Sequence, residues 1–156
     1  MRTDEFDLAP VHPADASALA ALHREVLGET DGWSDVGLRR VLMASAARGL
    51  VATSRAAPRL PLGFVVAFAA AGEAEVLALC VAAAHRRQGV ARALLRELGK
   101  QLATDGISRL HLEVRASNFA ARELYARNGF TETGRRKLYY QGTEDAVTMA
   151  RELSPT

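Results

Sequence analysis

Cysteine is nearly absent: Cys80 is the single one in 156 residues, so no intramolecular disulfide can form. A disulfide-stapled secreted scaffold is therefore excluded, and a reducing, cytoplasmic location is the expectation. One cysteine cannot build a structural zinc site, and His12, His23, His85 and His111 lack any paired ligand spacing, so no metal is expected. Long apolar runs are missing as well. Stretches such as Phe64 to Ala71 fall far short of the roughly 20 residues a membrane-spanning helix needs. The N-terminal Met1-Arg2-Thr3-Asp4-Glu5 is charged and leads into no apolar segment, so neither a secretory leader nor a membrane partner is expected. Charge of one sign is also lacking. Twenty Lys and Arg face eighteen Asp and Glu, and a net charge of +2 is no footprint for nucleic acid. Three phosphate and nucleophile motifs are absent too: Gly-x-x-x-x-Gly-Lys-Ser/Thr, Gly-x-Gly-x-x-Gly after a strand, and Gly-x-Ser-x-Gly.

What is present is a chain 49% hydrophobic, enough for a substantial core, with no repeat or linker that would divide it. One mixed α/β domain over residues 1–156 is expected. Leu19, Leu22 and Val26 recur at helical spacing after Pro13, and Ser34 can cap a second helix carrying Leu38, Val41 and Leu42 inward. Strands are predicted at Leu50–Ser54 and Leu62–Ala69, then a hairpin turn at Gly72 into Glu75–Val81. Ala91, Leu94, Leu95, Leu98 and Leu102 describe a long amphipathic helix after Gly89, with Gly106 as its stop. Residues 107–115 alternate with period two: Leu110, Leu112 and Val114 on one face, Arg109, His111, Glu113 and Arg115 on the other. Ser117 can cap a further helix ending near Asn128-Gly129, and two last strands are expected within Phe130–Tyr140 and Ala146–Ala150.

Chemistry concentrates in two places. The first is Arg86-Arg87-Gln88-Gly89-Val90-Ala91, between a strand and a long helix. Unpaired N–H groups at a helix N-terminus, a glycine that permits close backbone approach and flanking arginines together make a pyrophosphate cradle. The plain alternative is a basic turn. The second place is the segment after Gly106. Glu113 projects from the polar face of its strand, either as a functional carboxylate or as an ion-paired glutamate beside Arg109 and Arg115. Tyr125 lies on the inward stripe of its helix, where a core tyrosine is the plain reading. Asn118 can be a helix-start residue, and Cys80, inside an apolar strand, reads as a buried inert thiol.

The spacing Arg86-x-x-Gly89-x-Ala91 resembles the acetyl-CoA pyrophosphate motif of the GNAT N-acetyltransferases. The run Leu112-Glu113-Val114-Arg115-Ala116-Ser117-Asn118, with Leu124-Tyr125 and Asn128-Gly129-Phe130, is similar to the bacterial ribosomal-protein-alanine N-acetyltransferases within that superfamily. Arg135-Arg136-x-x-Tyr139-Tyr140 and Glu144-Asp145-Ala146-x-x-Met149 extend the likeness, which runs from about Glu75 to Met149. Upstream only Trp33-Ser34 is motif-like, with Gly32 where the family usually has proline. Ala91 replaces the commoner glycine, and Gln141 stands where proline often follows the tyrosines.

The resemblance implies a GNAT fold of the α/β (α+β) class. Its central sheet is mixed and mostly antiparallel, with splayed fourth and fifth strands and about four flanking helices. It implies acetyl-CoA as cosubstrate, with pantetheine along Leu79, Cys80 and Val81. Pyrophosphate would lie on the segment Arg86, Arg87, Gln88, Gly89, Val90, Ala91 and Arg92, and the cofactor arm against Asn118. Glu113 matches the general base, Tyr125 the general acid, and Tyr139, Tyr140 and Trp33 the acceptor side. The implied partner is the N-terminal α-amine of a small-subunit ribosomal protein beginning with alanine. A small-molecule amine, a protein lysine, or a non-catalytic acyl-CoA-binding role are the alternatives on the same fold.

Overall fold

The computed structural model describes residues 5–29, 32–140 and 142–154. The N-terminal tetrapeptide and Gln141, both read above, lie outside them. Along the chain run β1 (Phe6–Pro10), α1 (Ala16–Leu27), α2 (Asp35–Met43), β2 (Ala47–Ser54), β3 (Pro61–Ala70) and β4 (Glu73–Val81). They are followed by α3 (Val90–Thr104), β5 (Arg109–Arg115), α4 (Phe119–Arg127), β6 (Thr131–Tyr140) and β7 (Glu144–Glu152). The strands are ordered β1-β2-β3-β4-β5-β7-β6 in one sheet. The pairs β1–β2, β2–β3, β5–β7 and β6–β7 are antiparallel, and β4–β5 is parallel. That parallel ladder stops at Glu75↔His111, whereas β4 continues to Val81 and β5 to Arg115. This is the mixed, mostly antiparallel sheet, with one parallel pair, that the resemblance implied.

The turns follow from local chemistry. Ala71 (φ 54°) and Gly72 (φ 81°) both lie in the left-handed region between β3 and β4, as a two-residue hairpin of the twist-matching type requires. At the end of α3, Gly106 N–H donates to the Ala103 carbonyl (3.0 Å) and Ile107 N–H to Leu102 (2.9 Å). This is the glycine-terminated cap that the position of Gly106 foretold. Ser34 caps α2 as expected, accepting from the Gly37 N–H at 3.0 Å. For α4 the sequence reading needs correction: the cap is Asn118, whose side chain accepts from the Ala121 N–H at 3.2 Å. Ser117 is one residue too early, and its own N–H donates to Glu144 Oε1 (2.8 Å). Strand β1 was not foreseen. It is short, exposes most of its residues and ends in Pro10, which an edge strand tolerates because one side of its backbone needs no partner.

Chain contacts define two compact units, Met1–Phe68 with Leu77–Leu98 and Ala69–Val76 with Gly99–Thr156. In the first, α1 and α2 pack Leu19, Leu22 and Leu38 against Phe64, Val66, Ala78 and Cys80 of the strands. Gly63 sits there because a Cβ would come within 2.6 Å of the Cys80 carbonyl oxygen. In the second, the fully buried Leu102, Leu110 and Val147 form the core together with Leu112, Val114, Met149 and Phe130. Leu110, Leu112 and Val114 are buried and Arg109, His111, Glu113 and Arg115 half-buried, as period-two alternation in β5 demands.

Candidate active site

In the first unit, β4 delivers Leu79 and Val81 half-buried and turns Cys80 inward, where it is 3% exposed. The Cys80 Sγ lies 3.9 Å from the Leu22 carbonyl, and burial pushes the thiol pKa up to about 12. The thiolate is therefore inaccessible near neutrality, and Cys80 is a packing residue. After β4 the Ala82 N–H is tied to the Leu62 carbonyl (2.8 Å), and a single 3₁₀ turn covers Ala83–His85. The chain then passes through Arg86 in extended conformation, Arg87 at φ 61° and Gly89 at φ 85°. A left-handed arginine is costly for an L-residue, and such reversals turn successive N–H groups towards one concave surface suited to anions. The first turn of α3 follows directly, with Ala93 N–H bonded to the Gly89 carbonyl at 3.0 Å. Helix geometry leaves the N–H groups of Val90, Ala91 and Arg92 without partners in the helix itself. The Arg86 Nε bends back to the Val81 carbonyl (3.4 Å). The side-chain oxygen of Gln88 and Nδ1 of His85 are buried without a hydrogen-bond partner. The left-handed turns, the N–H groups of the first α3 turn and the flanking arginines fit an anionic diphosphate, whereas the Gln88 oxygen, an acceptor, adds nothing to it.

Trp33 also belongs to the first unit. Its backbone N–H donates to His23 Nδ1 (2.9 Å), its backbone carbonyl accepts from Arg24 Nη1 (2.9 Å), and its ring lies 5.1 Å from the His23 ring. His23 is buried and its pKa is held below the ordinary 6.5 by that burial, so it stays neutral and accepts this bond at Nδ1. The structure places Trp33 half-buried against the α1–α2 core.

The second unit carries the titratable cluster. Registered rows across the sheet place Glu113 beside Thr148 and Gly134, and Arg115 beside Ala146 and Arg136. Directly paired residues share a face, so Glu113, Arg115 and Arg136 project together. Only Ala146 and Thr148 intervene on β7, and Arg136 Nε reaches over them to Glu113 Oε1 at 3.0 Å. The Glu113 side chain is 17% exposed and that of Arg136 58%. The neighbours expected to pair with Glu113 are engaged elsewhere, Arg109 with Glu152 (3.3 Å) and Arg115 with Glu144 (3.4 Å).

Tyr140 completes this cluster. The Arg115 guanidinium lies 4.3 Å from its ring centroid, and the Tyr139 and Tyr140 rings meet edge-on at 5.2 Å. Burial, and after it the charge of Glu113, raises the Tyr140 pKa. The register of β6 shifts between Arg136 and Tyr140, with Leu138 at φ 52° donating its N–H to Asp145 Oδ1 (2.9 Å). This bulge leaves Leu138 57% and Tyr139 49% exposed. Glu144 and Asp145 therefore hold the β6–β7 hairpin and the start of α4. Bonds from Ser117 lead the causes that lower the Glu144 pKa.

Tyr125 is buried on α4, its ring edge-on to Phe130 at 5.7 Å. Burial pushes its pKa up to about 12, so the hydroxyl keeps its proton at any physiological pH. Asn118 commits its side-chain oxygen to the α4 cap, which leaves its amide N–H groups as donors. Among the described residues no cluster of His, Cys, Asp or Glu could hold a metal, and no helix is long and apolar enough to cross a membrane.

Comparison with known proteins decides the family. A model of the acetyltransferase (GNAT) family matches residues 19–130. The chain belongs to the GNAT acetyltransferases. Over 85 residues it is 45% identical to the ribosomal protein bS18-alanine N-acetyltransferase of Escherichia coli K12, covering 53% of this chain and 57% of that protein. Over 79 residues it is 38% identical to an N-alpha-acetyltransferase of Saccharolobus solfataricus, covering 50% and 47%. The chain thus spans about half the length of these curated relatives. Its fold superposes on the crystal structure of the Escherichia coli ribosomal-protein-S18-alanine N-acetyltransferase with a TM-score of 0.85 at 28% identity, covering 97% of this chain and 96% of that one. The residue of this GNAT chain that sequence reasoning missed is Arg136. It was visible within the Arg135-Arg136 pair, but its partner depends on the register across β7, which no local pattern reveals.

Proposed function

We propose that this chain transfers the acetyl group of acetyl-CoA to the N-terminal α-amine of a protein, a small-subunit ribosomal protein beginning with alanine, in the cytoplasm. The observation that carries this reading is the half-buried Glu113 carboxylate on a sheet face shared with Arg136 and Tyr140, in a chain of this family. The names of the relatives supply the acceptor.

In this reading the loop from Arg86 to Arg92 holds the cofactor's pyrophosphate, and the strand segment Leu79–Val81 its pantetheine arm. The cosubstrate supplies an activated thioester. Asn118 contributes its amide donors to the cofactor arm, and Tyr139, Tyr140 and Trp33 are each assigned to the acceptor. An amine must lose its proton before attack. A peptide α-amine, with pKa about 8 against roughly 10.4 for lysine, needs only modest help near neutrality. Glu113 takes that proton, directly or through one water, and a single carboxylate is a sufficient base for such an acceptor. As the amine attacks and the C–S bond breaks, the leaving thiolate, comparable to a cysteine with pKa about 8.5, takes a proton from the Tyr125 hydroxyl. The second proton shed by the acylated nitrogen returns to the tyrosyl oxygen.

The test is a comparison of three acceptors: a short Ala-initiated peptide, the same peptide blocked at its N-terminus but retaining a lysine, and a polyamine. The free peptide is expected to be acetylated far faster than the other two. Equal rates for the blocked peptide or the polyamine would overturn the α-amine assignment and favour a lysine or small-amine acceptor.

A further inference from the structure

We infer that Arg136 is a displaceable counter-ion of Glu113, a positioning residue whose guanidinium occupies the place that the acceptor's ammonium takes on binding. The inference rests on the base role given to Glu113 above. It deepens that reading by assigning a residue that competes with the acceptor.

Three features show that Arg136 is the partner that yields. The pair brings Nε to Glu113 Oε1 at 3.0 Å, and the Arg136 side chain is 58% exposed against 17% for Glu113. An ion pair with one strongly hydrated partner is weak and easily exchanged. Second, Glu113 stands on a strand paired with β7 at every residue from Arg109 to Arg115, so its position is fixed. The β6 register breaks between Glu132 and Gly134 and again between Arg136 and Tyr140, so Arg136 is carried by a short regular stretch between irregular ones. Third, Arg136 has a second resting place. Its guanidinium already lies 5.2 Å from the centroid of the Tyr139 ring, so release from Glu113 leaves a cation–π contact in being.

The chemistry of exchange is like for like. Guanidinium and ammonium are both cationic N–H donors, and each satisfies a carboxylate by a charge-assisted hydrogen bond. While the site waits for an acceptor, Arg136 keeps the half-buried carboxylate satisfied. When the acceptor arrives, its amine must win that oxygen from Arg136.

The experiment follows the Nε–H resonance of Arg136 by NMR in the full chain. It is assigned by its loss in Arg136→Lys, and Glu113→Gln defines its released position. Saturating Ala-initiated peptide in the presence of CoA is expected to move the wild-type signal to the Glu113→Gln position. A peptide that shifts the Tyr139 ring signals while leaving Arg136 unmoved overturns the proposal. A peptide that shifts neither counts against the α-amine acceptor. The exchange is then read with ethylammonium chloride at millimolar to molar concentration against sodium chloride at equal ionic strength. Movement with ethylammonium alone supports the exchange, and no movement overturns it. In kinetics, Arg136→Met is expected to lower the acceptor KM about two- to five-fold while kcat moves less, with Arg136→Lys restoring the wild-type KM. A raised or unchanged KM in Arg136→Met overturns the proposal.

Discussion

Tyr125 reaches its place through the cap of its own helix. Gly129 (φ 89°) ends α4, its N–H bonded to Ala126 (3.2 Å), while the Phe130 N–H reaches back to the Tyr125 carbonyl (3.0 Å). The apolar contact that accompanies such a cap joins the residues on either side of the turn, here Tyr125 and Phe130. The run Tyr125 to Phe130 is therefore both a helix stop and a device that fixes the orientation of a buried phenol. Tyr125→Phe preserves the ring packing and deletes the proton donor. Turnover is expected to fall about 10²–10⁴-fold in steady-state assays while acetyl-CoA affinity by calorimetry changes little. A variant with wild-type turnover would remove Tyr125 from the chemistry. The alkaline behaviour has a definite sign. Burial raises the hydroxyl from 10.0 to about 12 in the folded chain. Its contribution to stability is therefore present below about pH 10 and is lost as pH rises towards 12.

Elements were legible wherever one periodicity ran unbroken. The stripe Leu94, Leu95, Leu98 and Leu102 defined α3, and the alternation from Arg109 to Arg115 placed Glu113 on the face where the structure has it. What local pattern could not reveal depends on pairing between distant segments. Examples are the edge strand β1, the two register shifts of β6 and hence the contact of Arg136 with Glu113. The α4 cap was misplaced by one residue because Ser117 and Asn118 are both good caps, and only Glu144, distant in sequence, engages the first. Gly32 is a further case. It departs from the proline usual before the tryptophan, and the structure supplies the reason. A Cβ there would lie 2.6 Å from the Arg24 Cα, and its N–H donates to the Gly28 carbonyl at 2.9 Å. The α1–α2 connection of this chain is thus built around an absent side chain. Gly32→Ala is expected to destabilise by about 1–3 kcal/mol, read as a lower urea midpoint at unchanged slope. An unchanged midpoint would show that the loop can open without cost.

Each unit carries residues that the proposed function uses. The first presents the Arg86–Arg92 loop before α3, and the second presents Glu113, Tyr125 and the paired tyrosines. Family membership was legible from both stretches because each motif has a backbone or packing reason of its own, such as the left-handed Gly89 or the Tyr125–Phe130 cap. The acceptor was less legible. The acidic pair Glu144-Asp145 is engaged in holding Ser117, Arg115 and Leu138. The acceptor reading therefore rests on the names of the relatives and on the amine that a single carboxylate base suits. Its most direct test is the rate of Glu113→Gln against wild type, with an Ala-initiated peptide, at about pH 6.5 and at about pH 9.5. An α-amine with pKa about 8 is mostly protonated at the lower pH and deprotonated unaided at the higher. The account predicts a large deficit near pH 6.5 that shrinks near pH 9.5. A deficit of equal size at both would contradict the role of Glu113 as the base.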